Sequence, residues 1–447
     1  MNISDYTAVS LAAAIANVEV SPFDAMTEYL GKIRDDILLN NFINVCVDQA
    51  LDEAERIGRD IKNGKRFDDK KLLGVPVAVK DNICTAGVQT TCASRLLSKF
   101  VPDDDAEVIS RLKRAGAIII GKTNMDEFAF GSANEYSAFG SVRNALDNNC
   151  VAGGSSGGSA NSVAAGEAPL ALGTDTGGSV RQPAAFCGVV GLKPTYGAIN
   201  SRGVIGLCPS MEQVGTLSKT CDDALLLFSV LSGRDELRAL DGSVRGITVG
   251  VAKEFLQAEK SDGVARAFEN AIGQLKALGV NIVEVSVPSF FAGLPTYHVL
   301  SSAEAMHSFR KVVDAYPDTV LLGDEVKRRM LTGATVTDGE NYDKLYIKAA
   351  KVRTVITAEY DKALSCCDAL LSPTAATVAS PIGGMTDPQQ EHMCDSYLAP
   401  VSLAGLPAVS VPFGKENGLP IGLQIIGKRN AEREILNIGK ALMNAVR

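Results

Sequence analysis

Residues 73–81 read LGVPVAVKD and residues 106–120 read AEVISRLKRAGAIII. A short apolar run of β type, an amphipathic helix and a second apolar run follow one another, the alternation of a sheet covered by helices. The pattern returns downstream. Residues 246–252 predict a strand, Val264, Phe268, Ile272 and Leu275 fall on one face of a helix, and residues 282–287 predict the next strand before Pro288, which is βαβ spacing. Residues 406–414 (LPAVSVPFG) and 419–427 (LPIGLQIIG) flank a turn whose Asn417-Gly418 pair signals a hairpin, and a last helix is predicted over about 432–446. Upstream of residue 73 the periodicity is helical, over 7–16, 22–36 and 47–63, so the first seventy residues are expected to form an α-helical layer. The Gly/Ser-rich stretch 151–180 is interrupted by AGEAPLALG (165–173), which reads as helix, and lies inside the alternating pattern rather than forming a tether. With no linker and no internal repeat, the expectation is an α/β fold in a single large domain, 1–447, with a mixed β-sheet core covered by helices on both faces.

Composition narrows the function. The chain has 447 residues with 46% hydrophobic and 21% charged, ample for a large buried core. No stretch reads as a membrane span, and the N-terminus lacks the basic region of an export signal, so a cytoplasmic protein is expected. Ten cysteines without a CxxC pair suggest reduced thiols, neither a disulfide framework nor a metal site. Lys+Arg 44 against Asp+Glu 52 gives a net charge of −8, the wrong sign for gripping nucleic acid over a broad surface; any nucleic acid would be held by a partner.

Three segments invite chemistry: GVPVAVKD (74–81) with Lys80, GGSSGGS (153–159), and GTDTGGSVR (173–181). Neither glycine run ends in GK[ST] or forms GxGxxG, which argues against a phosphate site. Residues 153–157 match GxSxG, but a histidine base is wanting: His298, His307 and His392 stand in no setting that recommends them. Lysine is the available base, since an amine withdrawn from water gives up its proton more readily. By itself Lys80 could equally be a strand-end lysine paired with Asp81, and Ser179 a helix-capping serine. Against that, the small residues Thr176-Gly177-Gly178 leave backbone N–H groups able to converge on one point, as an oxyanion hole requires.

Taken together, GVPVAVKDNI, GGSSGGSANSVAAG and ALGTDTGGSVRQPAAFCGVVGLKPTYG resemble the amidase signature family, with Ser179 lying 24 residues after Ser155 and 99 after Lys80. The resemblance implies that family's fold, with 1–70 as a helical layer, 71–220 as the signature core and 221–447 as the rest of the sheet and the substrate pocket. It also implies a Ser-cis-Ser-Lys triad: Ser179 as nucleophile, Ser155 as bridging serine after a cis Gly154–Ser155 peptide, Lys80 as terminal base, and the N–H groups of Thr176, Gly177 and Gly178 as oxyanion donors.

Within the family, residues 125–144, 323–333, 348–356, 400–414 and 418–428 are most similar to the glutamine-hydrolysing A subunits of tRNA-dependent amidotransferases. That likeness implies glutamine as substrate and a pocket built from Tyr297, Arg329 and Asp395, with Arg328 the other candidate for the carboxylate fork. An Arg fork suits the carboxylate of a free amino acid, and an Asp suits its ammonium. It implies B and C subunits as partners in a heterotrimer, ATP and Mg2+ at the partner, and no metal or cofactor on this chain. A stand-alone amidase acting on another carboxamide is the alternative. One departure stands out: the stretch between Glu304 and Glu325 is shorter than usual for these subunits, which bears on the pocket wall and the docking surface.

Overall fold

The computed structural model describes residues 3–67, 69–234, 239–384 and 394–446. The N-terminal segment forms the expected helices, α1 (Ala8–Ala16), α2 (Pro22–Asp35) and α3 (Val47–Lys62), each entered at the predicted place. Thr7 caps α1 through its hydroxyl, and Ser21 followed by Pro22 starts α2. The layer is not wholly helical, however. Phe42–Val45 is strand β1, which pairs antiparallel with β3 and closes one edge of the main sheet; four residues between two helices carry too little periodicity to declare themselves.

The alternation at 73–120 becomes β2 (Pro76–Lys80), α4 (Glu107–Arg114) and β3 (Ile118–Thr123), with β2 and β3 parallel. A small two-stranded sheet of β4 (Arg143–Asn144) and β5 (Asp147–Val151) leads into α5 (Gly157–Ala165). There follow β6 (Leu170–Asp175), α6 (Arg181–Cys187), β7 (Val190–Lys193), β8 (Gln213–Ser218), α7 (Cys221–Ser232), β9 (Thr248–Ala252), α8 (Lys253–Gln257), α9 (Asp262–Ala277) and β10 (Asn281–Val285). The chain continues through α10 (Phe290–Ala315), α11 (Asp324–Thr337), α12 (Lys348–Ser365), β11 (Ala369–Pro373), α13 (Ala399–Leu403), β12 (Ala408–Glu416), β13 (Leu419–Gly427) and α14 (Glu432–Val446). The hairpin turn is as its sequence predicts, with Asn417 and Gly418 both at positive φ, 52° and 85°.

Eleven strands form one mixed sheet in the order β1-β3-β2-β6-β8-β7-β12-β13-β11-β9-β10. Alternate side chains of each central strand enter opposite cores. On one side Val77, Val79, Leu170 and Leu172 belong to the core that α4, α7, α9 and α14 cover between them; on the other Ala78, Ala171, Ile118 and Ile120 belong to the core covered by α2, α3, α5 and α6. The second face is lined by small residues where helices approach closely. A Cβ on Gly191 would lie 2.5 Å from the Ala184 Cβ of α6.

One expectation fails here. AGEAPLALG is not helix: Ala165 ends α5, Gly166 terminates it in the left-handed region at φ 76°, and Leu170–Asp175 is the central strand β6. Alanine and leucine favour helix locally, but burial on both sheet faces between β2 and β8 overrides that preference.

Candidate active site

Strand β2 delivers Lys80 into the interior, where it is fully buried. Its Nζ donates to Ser155 Oγ at 2.7 Å and to Thr174 Oγ1 at 3.1 Å. Burial drives the amine down to about 8, against the opposing pull of Glu212, Asp126, Asp175 and Cys92. Asp81 is not its partner. That carboxylate faces the buried Lys122 at 3.5 Å and accepts from Thr91 N at 2.8 Å, so Lys80 is not neutralised by its neighbour in sequence.

Ser155 lies at the entry to α5, after a cis Gly154–Ser155 peptide. The Gly154 N–H donates to Gln182 Oε1 at 2.9 Å, and Ser155 O accepts from Asp126 N at 3.3 Å. A Cβ on Gly154 would collide with the Asp126 carboxylate, which is why glycine stands there. Ser179 belongs to the turn from β6 to α6 and is half-buried. Its carbonyl accepts from Ser156 N at 3.2 Å, which ties the two Gly/Ser segments together. Beneath this turn the buried Arg181 grips Asp175 by two hydrogen bonds of 2.9 and 2.8 Å and reaches Gln424 on β13 at 2.6 Å. Although burial raises the Asp175 carboxyl, Arg181 and the other groups around it hold it below its ordinary range. The N–H groups of Thr176, Gly177 and Gly178 donate to no protein group among the described residues, and Thr176 lines the cavity described next.

Ser179 and Thr176 line a cavity together with Tyr297, Arg329 and Asp395. The expected pocket residues, distant in sequence, thus share one wall with the expected nucleophile. Tyr297, on α10, is half-buried and packs against Gly177, where a Cβ would strike its ring, and loss of water around it raises its phenol. Arg329, on α11, is held by Glu325 Oε1 at 3.0 Å and lies 3.0 Å from His298 Nδ1. Asp395 accepts from Ser132 Oγ at 2.7 Å. Arg328 turns away, its side chain 45% exposed and paired with Glu325, so the cavity takes Arg329. The stretch between Glu304 and Glu325 completes α10, and its Ala305 and Phe309 pack with Phe128, Phe130 and Leu207 beside the cavity.

Sequence reasoning missed Thr174, Gln182, Ser132 and His298. Thr174 and Gln182 adjoin quoted motifs, but no local pattern marks a contact made across the sheet. His298 touches Arg329 and His307 is exposed, whereas His392 falls outside the described residues. All ten cysteines are free thiols, and no group of three or more metal-ligating side chains occurs among the described residues. Among them, too, no helix is long and apolar enough to cross a membrane.

The family profile described as Amidase matches residues 24–436. The chain is 41% identical to the second glutamyl-tRNA(Gln) amidotransferase A subunit of Clostridium acetobutylicum, over 99% of each chain. That alignment runs to 476 positions, more than the 447 residues here, so the relative carries segments that this chain lacks. The crystal structure of the glutamyl-tRNA(Gln) amidotransferase A subunit from Thermotoga maritima superposes with a TM-score of 0.83 at 37% identity, covering 99% of this chain and 95% of that one. The peptide amidase of Stenotrophomonas maltophilia superposes with a TM-score of 0.86 at 28% identity, covering 99% and 97%. The backbone is thus shared by a glutamyl-tRNA(Gln) amidotransferase A subunit and by a peptide amidase, with the higher identity to the former.

Proposed function

The chain belongs to the amidase family, and from that premise we propose that it is the glutaminase subunit of a tRNA-dependent amidotransferase. The observation that carries the reading is the cavity wall, where a buried arginine and a buried carboxylate flank a half-buried serine backed by a lysine–serine hydrogen bond. A free α-amino acid brings a carboxylate for Arg329 and an ammonium for Asp395, which leaves its side-chain amide to meet Ser179.

In the reaction, Ser179 Oγ attacks the glutamine amide carbon while its proton passes through Ser155 Oγ to neutral Lys80. The N–H groups of Thr176, Gly177 and Gly178 receive the negative charge that develops on the amide oxygen. The proton returns along the same path to the leaving nitrogen, and ammonia departs from a γ-glutamyl ester on Ser179. Water, deprotonated by the same relay, hydrolyses that ester to glutamate. The ammonia serves a partner subunit, which with ATP and Mg2+ activates glutamate on tRNA(Gln), or aspartate on tRNA(Asn), and a third subunit completes a heterotrimer. The net negative charge of this chain agrees with tRNA being held by the partner.

The alternative, a stand-alone amidase, is favoured by the likeness to the peptide amidase. Ammonia release from glutamine is measured for the chain alone and with B and C subunits, ATP and charged tRNA. A strong rise with the partners supports the proposed role; partner-independent turnover of other carboxamides with glutamine refused replaces it with the alternative.

A further inference from the structure

Helices α10 and α11 meet closely at Gly333, where a Cβ would strike Ser302 O and lie 2.8 Å from the Met306 Cβ. One helical turn earlier on each helix stand His298 and Arg329. Their contact is therefore set by two packed helices rather than by a loop. Three groups of this chain surround the Arg329 guanidinium. Glu325 Oε1 accepts from its Nε at 3.0 Å, the Phe130 ring centroid lies 5.9 Å from its central carbon, and His298 Nδ1 stands 3.0 Å from Nη1. The imidazole in turn packs beside the Tyr297 ring, 5.5 Å between centroids.

The direction of the His298 hydrogen bond follows from chemistry. A guanidinium keeps its charge and carries five N–H donors and no acceptor. Nδ1 must therefore accept, so the ring is neutral in this contact and bears its one proton on Nε2. Bonds at two different nitrogens of a rigid planar group fix its plane, and with it the directions of the other N–H bonds. Glu325 alone cannot do this. It also takes hydrogen bonds of 2.7 and 2.6 Å from Arg328, and a single contact at Nε lets the Arg329 fork turn about it.

Resting on the glutamine pocket proposed above, we infer that His298 is the positioning residue of the carboxylate anchor: its Nδ1 aims the Arg329 fork into the cavity, and so selects amides that carry a free carboxylate. His298 is not among the residues that line the cavity, and it takes no part in the proton relay.

The test compares wild type, His298→Leu and His298→Asn, the last of which keeps an acceptor in place of Nδ1. In His298→Leu, KM for glutamine should rise ~10-fold with kcat within about 2-fold, because the contact is the same before and during the reaction. His298→Asn should bring KM back to within about 3-fold of wild type. In an Arg329→Lys background His298→Leu should add little, since the fork is already gone. Nitrogen NMR of the imidazole, assigned by the signal lost in His298→Asn, should show Nδ1 without a proton and needs no substrate. An unchanged KM in folded His298→Leu overturns the inference, as does a loss confined to kcat. Equal damage in His298→Asn, full additivity with Arg329→Lys, or a proton on Nδ1 overturns it too. If wild type refuses glutamine yet hydrolyses another carboxamide, the glutaminase reading falls, while the same variants on amides with and without a carboxylate still decide the role of His298.

Discussion

For the relay proposed above, burial brings the Lys80 amine at the end of β2 into the range that a base requires. An amine lowered to about 8 is protonated, and idle as a base, below that pH and neutral above it. The kcat/KM of glutamine hydrolysis is accordingly expected to climb with pH through about 8, and a profile flat across that region removes Lys80 from the role. Ser179→Ala should cost at least ~10³-fold in kcat. Because Lys80 and Ser155 share one hydrogen bond, Lys80→Ala and Ser155→Ala should each be severe and their combination little worse, a non-additivity read in a double-mutant cycle. Arg329→Lys keeps the charge but loses the planar fork, so KM for glutamine should rise ~10–100-fold with kcat far less affected. An unchanged KM would place the carboxylate elsewhere. At this scale the motif residues were legible because each lies inside a dense local pattern. Ser132 and His298 were not, since each acquires its meaning from a contact with a residue far away in the chain.

Elements were legible where local preference and tertiary demand agree. The helices α1, α2, α4 and α14 carry their apolar stripes in the sequence, α1 and α2 their start signals as well, and the β12–β13 hairpin announces itself by Asn417-Gly418. They diverge at β1, too short to show a period, and at β6, where alanine and leucine suit a helix but the packing needs a strand that ends at the Thr176–Ser179 turn. The close approach of α6 to β7 is a second such demand, since that helix carries Arg181 and Gln182 under the two serines. Gly191→Val would force a side chain into the Ala184 Cβ, and it should destabilise the protein by ~1–3 kcal/mol, measured as a lower urea midpoint. An unchanged midpoint would mean that α6 can yield at no cost.

At the scale of the whole molecule, the sheet interleaves the chain. β7 and β8 come from the first half, yet β7 hydrogen-bonds to β12, and β13 beyond it receives Arg181 from below the Thr176–Ser179 turn. A fragment ending at residue 220 should therefore fail to give a cooperative transition, because β7 becomes a bare edge and the Arg181–Asp175 pair loses Gln424. A fragment that unfolds cooperatively would show that 1–220 is self-sufficient. The sequence by itself determined the α/β class, the family, the lysine–serine–serine spacing and the net charge of −8, because alternation, dense motifs and composition are properties of neighbouring residues. Only the tertiary structure decided that Arg329 rather than Arg328 faces the cavity, that β6 is a strand, and that Lys80 is buried against Ser155 rather than paired with Asp81. These depend on which groups lose their water together, and desolvation is a property of the packed whole.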